Sequence, residues 1–370
     1  MADTTMTVKC LVWDLDNTLW QGTLLEDGEV RLYPGVRELI QVLDSRGILQ
    51  SVASKNDHDH AWAKLEELGV AEYFVLPHIG WSPKSGSIRS IAEELRFAYG
   101  TMAFMDDQAA EQAEVAFHLP DVRCYSADEV AGLAELPEFN PKTVTQDARR
   151  RREMYQAGFR RQAAKSGFTG PDEEFIRSLS LEMRIEHATV EHLARVEELT
   201  LRTSQMNATG VHYSREALAG LILDDHGHQV LVTSMSDRFG PHGAVGVVLV
   251  ETGADVWHLK LLATSCRVVS FGAGSVILRW LTDQAARAGA HLVADFRRTD
   301  RNRMMEIAYR FSGFTGETCP CLASLPAGDV SGLQRLHLVP VPQAPPTTMH
   351  LIAPDLTAVP ENRFSDVLPY

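Results

Sequence analysis

The sequence predicts an α/β chain of two units, a parallel sheet flanked by helices and then an α+β unit. Three observations carry this reading. Residues 8–135 alternate strand-type and helix-type patterns, the rhythm of a parallel sheet. Asp14, Ser54 and Asp106 fall at successive strand ends, where open parallel sheets bind ligands. From residue 181 the pattern changes to an antiparallel start. A length of 370 residues fits two domains with a connector.

The elements follow in order. The apolar run Val8 to Trp13 ends at Asp14 and reads as a buried strand. Gly35 to Arg46 has helical periodicity, with Val36, Leu39, Ile40 and Leu43 on one side. Leu49 to Ala53 is a second strand, and Asp57 caps a helix ending near Leu68. Pro83 and Lys84 open a helix through Phe97, and Thr101 to Met105 is a strand ending at Asp106-Asp107. Residues 136–180 read as a helical connector punctuated by Pro137, Pro141 and Pro171. In the unit at 181–335, strands are expected at Glu182 to Glu186, Gln229 to Ser234, Ala244 to Glu251, Val256 to Leu262 and Leu292 to Phe296. The two central ones join through the polar stretch Asp237 to Gly243. Helices are expected at Val190 to Leu199 and Gly274 to Arg287. The proline-rich tail, 336–370, is extended, either wrapping the body or mobile.

Composition bounds the function. Hydrophobic residues make up 45%, enough for packed cores. A net charge of −14 gives no general attraction for nucleic acid, and no nucleic-acid motif is present. Met1 to Val8 lacks the apolar stretch of a signal peptide, and no run is apolar enough to span a bilayer. Five scattered cysteines suit a reducing compartment. These features predict a soluble cytoplasmic protein. The Cys319-Pro320-Cys321 pair lacks the second ligand pair of a zinc site, so it reads as structural.

Asp14-Leu15-Asp16-Asn17-Thr18 follows a strand directly. Two carboxylates at this spacing can share Mg2+, a hard cation that takes oxygen ligands. Asp14 can attack phosphorus and become an aspartyl phosphate. Asp16 can protonate the leaving oxygen and then deprotonate water, while its backbone carbonyl serves the metal. Thr18, the Ser54 hydroxyl and the stretch Lys55-Asn56 can hold phosphoryl oxygens, and Lys84 can neutralise charge in the transition state. Asp106 and Asp107 can anchor the metal with Glu111 as an outer partner; which of the pair ligates stays open. Each residue alone has an ordinary explanation as a turn or solvated side chain. Together, in this order, they resemble the four motifs of haloacid-dehalogenase-like phosphatases. Little chain lies between Thr18 and Tyr33, so no large cap covers the site.

The surrounding words resemble a narrower family, the FkbH-like proteins of polyketide pathways. They are VKCLVWDLDNTLWQGTLLEDG (8–28), ASKND (53–57), WSPKS (81–85), FMDDQAAE (104–111), LRTSQMNATGVHYS (201–214) and TSCRV (264–268). The resemblance covers about residues 8–315. It implies a dehalogenase-like domain without a large cap followed by a GNAT-like domain. It also implies transfer of the glyceryl group of 1,3-bisphosphoglycerate to the phosphopantetheine thiol of an acyl carrier protein, with release of phosphate. The chain departs from the family at Gln108, where Asn is expected, and at Ser270, where the run before Gly272 usually has glycine. In GNAT enzymes such a turn cradles a pyrophosphate at a helix start. A carrier-bound pantetheine, with one phosphate, demands less.

The thiol chemistry is open. Cys10, about 13 Å along the strand from Asp14, reads as core packing. Cys266, beside Arg267 and a helix start, is either a nucleophile or a packing residue. Gln205, Asn207 and Thr209 line the acyl site or form a helix-end turn, Arg267 belongs to the same acyl or pantetheine site, and His258 reads as a satisfied core histidine rather than a base near Cys266. The basic run Arg149 to Arg161 is a solvated helix face or a surface steering an acidic carrier protein. Against the glyceryltransferase stand two other readings. One is a stand-alone small-molecule phosphatase; the other is a docking module with a vestigial site.

Overall fold

A computed structural model describes residues 6–27, 29–203, 205–223, 227–325 and 332–358. The end of the tail, with Pro360 and Pro369, lies outside the described residues. The chain divides into two compact units, Met1–Arg160 and Arg161–Tyr370. The division falls inside the helix Arg151–Ser166. Among the described residues no helix is long and apolar enough to cross a membrane.

The first unit has strands β1 (Cys10–Trp13), β2 (Trp20–Gln21), β3 (Arg31–Leu32), β4 (Leu49–Ser54), β5 (His78–Ile79), β6 (Met102–Asp106) and β7 (Arg123–Ser126). Five form a sheet in the order β5-β4-β1-β6-β7, with every pairing parallel. β1 is buried on both faces, which explains its unbroken apolar run. Leu11 and Trp13 enter one core with the helix Val36–Ser45, while Cys10 and Val12 enter the other with the helix Lys84–Leu95. Val36, Leu39, Ile40 and Leu43 are the buried residues of the first of these helices. Burying each such side chain contributes about 1.5–3 kcal/mol, which a ten-residue helix needs because its own propensity is marginal. The helix from Lys84 ends at Leu95, two residues before the sequence suggests. Arg96 turns left-handed there (φ 56°), and its N–H closes on Ala92 and Glu93. Between β1 and the helix Val36–Ser45, the described residues hold only the antiparallel pair β2/β3 and a four-residue helix, Leu24–Asp27.

The chain leaves β1 toward β4 and β5, then returns to β6 and β7 on the other side. β1 and β6 therefore flank the switch point where such sheets bind ligands. Asp14 follows β1 and Asp106 ends β6.

The second unit has β8 (Glu182–His187), β9 (His228–Asp237), β10 (Gly240–Thr252), β11 (Val256–Thr264), β12 (His291–Phe296), β13 (Gln334–Leu338) and β14 (His350–Ile352). Their order is β13-β12-β11-β10-β9-β8-β14. β8 to β11 run antiparallel, and β11 and β12 are parallel, joined through the helix Ala273–Ala288. The polar stretch expected between β9 and β10 is mostly strand. The turn is only Arg238-Phe239, and two register shifts around Pro241 to Gly246 absorb the proline and glycines. The tail wraps the body through residue 358: β13 pairs with β12, and β14 adds a parallel edge to β8.

β11 and β12 pair only from Val256↔His291 to Leu259↔Ala294, then part. The segment Met206–Ala208 enters the gap. Ala208 N–H donates to Leu262 O (3.0 Å), Arg297 N–H donates to Ala208 O (3.1 Å), and Asn207 bridges Ala263.

Candidate active site

A carboxylate–lysine cluster gathers at the ends of β1, β4 and β6. Asp14 begins where β1 stops, its N–H donating to Met105 O at 2.9 Å. Asp14, Asp106 and Asp107 each place a carboxylate oxygen within 4.8 Å of the others. Lys84, buried at the start of its helix, donates to Asp14 and to Ala53 O (2.8 Å). Its Nζ is also 3.2 Å from Asp106 Oδ2. That contact has ion-pair distance without hydrogen-bond geometry, so Asp106 Oδ2 is buried with no hydrogen-bond donor.

Three carboxylates face one ammonium here, and the electrostatics show it. Burial pushes the Asp14 carboxyl up to about 6; Lys84 pulls against this and Asp106 adds to it. Burial likewise raises Asp106, against Lys84, and raises Asp107 with help from the Asp14 charge. Uncompensated negative charge and an orphaned carboxylate oxygen fit a divalent cation with oxygen ligands. Asp106 and Asp107 both belong to this group, so the structure brings both candidates to Asp14.

The Asp16 carboxylate is held by three donors. Its Oδ1 accepts from the Trp20 indole N–H (2.8 Å) and Leu24 N–H (3.0 Å), and its Oδ2 accepts from Asn56 Nδ2 (3.0 Å). Its side chain is thus not among the three clustered carboxylates. The Thr18 hydroxyl accepts from Asp107 N–H (2.9 Å) and lies 3.4 Å from Asp107 Oδ1, tying the β1 loop to the β6 loop. Ser54 is buried at the end of β4. Lys55 is paired with Glu111 at 2.5 Å. Asn56 is buried and spends its side chain on Asp16 and on Asp57 N–H. Two residues that sequence reasoning passed over hold this geometry. Trp20 fixes Asp16, and Glu114 accepts from Ser85 at the start of the Lys84 helix. A cleft of about 420 Å³ lined by Tyr33, Asp107, Ser126 and Asp128 opens beside the centre.

In the second unit Cys266 is exposed and begins the short helix Cys266–Phe271. Arg267 is exposed beside it, its Nε donating to Ser265 Oγ at 3.3 Å. The turn before the helix Ala273–Ala288 needs a left-handed residue only at Gly272 (φ 73°); Ser270 has ordinary φ, so its side chain costs no backbone strain. The segment from Gln205 to Thr209 lies beside the end of β11 that leads to Cys266, since Thr264 N–H donates to Met206 O at 3.0 Å. Gln205 is exposed. Asn207 and Thr209 are buried and turned on their own loop: Asn207 Oδ1 accepts from Thr209 N–H and Gly210 N–H, and its Nδ2 donates to Val211 O. Asn302, also buried, donates to Asn207 O and Arg297 O and clamps that loop. His258 is buried, with Nε2 2.8 Å from Asp295 Oδ1. Cys10 is fully buried and burial pushes its thiol far up, consistent with packing in the sheet.

No family model matches the chain, and no curated protein matches it. Among the solved structures with partial similarity, two groups recur. One is the N-terminal part of a Bacteroides fragilis protein, containing a phosphatase domain and complexed with Mg: 27% identity, 37% of this chain, TM-score 0.33. The chain spans 41% of that structure. Another is the core domain of a putative phosphoglycolate phosphatase from Streptococcus pneumoniae, 20% identical over 33% of this chain and 81% of that one, TM-score 0.27. The other group includes an acetyltransferase of the GNAT family from Streptococcus pneumoniae, 16% identical over 43% of this chain and 99% of that one, TM-score 0.32. By its own strand order and crossovers, the chain is a five-stranded parallel α/β unit with, among the described residues, only the small β2/β3 insertion after β1, followed by a seven-stranded mixed α+β unit.

Proposed function

We propose that this protein moves the glyceryl group of 1,3-bisphosphoglycerate onto the phosphopantetheine thiol of an acyl carrier protein and removes the remaining phosphate. The observation that carries the phosphatase half is the convergence of Asp14, Asp106, Asp107 and Lys84 at the switch point, under no large cap. An open site suits a phosphoryl group presented on a macromolecule. The substrate identities rest on the family words of the sequence.

In this reading a thiolate attacks the acyl carbon of the acyl phosphate, and inorganic phosphate leaves with the electron pair of the broken C–O bond. Asp14 then attacks the phosphorus of the phosphoglyceryl thioester, forming an aspartyl phosphate while Asp16 gives a proton to the leaving glyceryl oxygen. Asp16 next takes a proton from the water that releases the second phosphate. Lys84 steadies the charge on Asp14 and the phosphoryl oxygens. Mg2+ held by Asp14, Asp106 and Asp107 would neutralise the carboxylates and the incoming phosphate.

The test is the intact mass of a phosphopantetheinylated carrier protein incubated with the enzyme, Mg2+ and enzymatically generated 1,3-bisphosphoglycerate. A glyceryl adduct that is absent with Asp14→Asn supports the reading. A phosphoglyceryl adduct in that variant places transfer first. Phosphate release without any adduct, across candidate carriers, favours the stand-alone phosphatase.

A further inference from the structure

A second cluster of ligating side chains lies in the GNAT-like unit, outside the chemistry above. His291, Cys319, Cys321 and His337 each offer one ligand atom, and these atoms all lie within 4.8 Å of one another. Cys319 Sγ is 3.5 Å from His291 Nδ1, and His337 Nε2 is 3.0 Å from the same Nδ1. Tetrahedral zinc with N and S ligands at about 2.0–2.3 Å requires ligand atoms about 3.3–3.8 Å apart. The observed spacings are close to those edges. We propose that His291, Cys319, Cys321 and His337 form a structural Cys2His2 site for a zinc-type cation, fastening the segment after Phe314 to the β12/β13 edge.

The backbone supports the geometry. His291 opens β12, its N–H donating to Asp255 O at 2.8 Å. His337 lies on β13 opposite Val293. Antiparallel register puts it diagonal to His291 on the same face of the sheet. The two cysteines flank Pro320 in a tight turn closed by Leu322 N–H on Cys319 O (3.0 Å) and by Ser324 Oγ on Cys321 O (2.7 Å). Thr315 and His337 exchange backbone hydrogen bonds at 2.9 and 2.7 Å, which brings the chain leading to the cysteines against β13. All three free-standing pieces, two strands and one turn, are thus held before a metal binds.

The donor set selects the ion. Two thiolates with two imidazoles in tetrahedral reach suit zinc rather than the hard cations of the Asp14 cluster. Four protein ligands leave no position for substrate, so the site is closed and structural. Read along the chain, Cys319 and Cys321 have no second ligand pair; the pairing of β12 with β13 supplies it from 28 and 16 residues away (319 − 291 and 337 − 321).

The test uses the full chain. Purified protein is analysed for zinc, then stripped and titrated with Co2+. The expected results are about one zinc per chain, a thiolate-to-cobalt charge-transfer band with tetrahedral visible bands, and displacement of both by Zn2+. The Cys319→Ser/Cys321→Ser variant should lose the zinc and the charge-transfer band. Because that band needs a sulfur ligand, the unaltered protein decides the question even if the variant fails to fold. Absence of the band in the unaltered protein would overturn the proposal. So would zinc that stays in the cysteine variant and disappears in Asp14→Asn.

Discussion

The indole N–H of Trp20 donates to Oδ1 of Asp16 at 2.8 Å, and the Leu24 N–H donates to the same oxygen at 3.0 Å. The residue proposed as general acid is therefore positioned by the small β2/β3 insertion. Trp20→Phe removes one donor and keeps most of the buried ring. A lost hydrogen bond to a charged group is worth about 1.5–3 kcal/mol, so kcat for phosphate release should fall about 10- to 100-fold with little change in metal affinity. Unchanged kcat would show that Trp20 does not position Asp16 in the reaction.

Asp14 is buried, has a raised carboxyl pKa and sits beside two further carboxylates. Asp14→Asn should lower phosphate release on the order of 10³-fold or more. Mg2+ should raise the thermal stability of the unaltered protein and raise that of Asp14→Asn less, since a cation that binds only the folded state stabilises it. Thermal scans with and without Mg2+ on both proteins measure this. An equal Mg2+ effect in both would place the cation elsewhere.

The basic run of the connector divides by what each residue touches. Arg152 reaches both oxygens of Asp44 and donates to Glu72 O, while Arg149 is exposed. Arg152→Glu should destabilise the first unit by about 1–3 kcal/mol through the lost pair and the new like charge. Arg149→Glu should leave stability within about 0.5 kcal/mol. If the run steers an acidic carrier, Arg149→Glu should instead raise KM for the carrier protein, most strongly at low salt. Unchanged KM at low salt would assign the residue to a merely solvated face.

Asp237 accepts from Arg161 Nε at 2.5 Å and from the Phe239 N–H, with His242 Nε2 3.1 Å away. Burial alone would raise its carboxyl, but hydrogen bonds from His242 and Arg161 outweigh burial and hold it well below the usual range. A depressed carboxyl contributes stability that is complete above its unfolded value, about 3.9, and is lost as pH falls toward the folded value. Asp237→Ala should cost about 3 kcal/mol at pH 7 by leaving Arg161 unpaired. The difference from the unaltered protein should shrink below about pH 4. Denaturant unfolding at pH 7, 5 and 3.5 follows it; a difference that stays constant with pH would remove the electrostatic explanation.

Asn302 is buried and donates to Asn207 O and Arg297 O, while accepting from Thr299 N–H at 2.9 Å. Asn302→Ala strands those carbonyls and should cost about 1–3 kcal/mol. If the Gln205 to Thr209 segment lines an acyl site, glyceryl transfer should slow while phosphate release from a small phosphate ester does not. Equal loss of both activities would point to general unfolding.

Much of the first unit was legible along the chain. The apolar run before Asp14, the periodic face Val36 to Leu43 and the cap at Asp57 are local patterns, and local sterics and burial period decide them. Asp14, Ser54 and Asp106 were readable as strand-end positions because parallel crossovers return every strand end to the same edge of the sheet, while Lys84, at a helix start, joins them through its contacts with Asp14 and Asp106. The strands β13 and β14 were not, because each is short, lies among prolines and gains its identity only from the strand it pairs with. Which way Asp16 points was decided by Trp20, Leu24 and Asn56, and no spacing encodes that choice. The partners of Cys319 and Cys321 were decided by strand register. A one-residue slip between β12 and β13 would turn His337 to the opposite face from His291, so only the folded ladder brings the four side chains together.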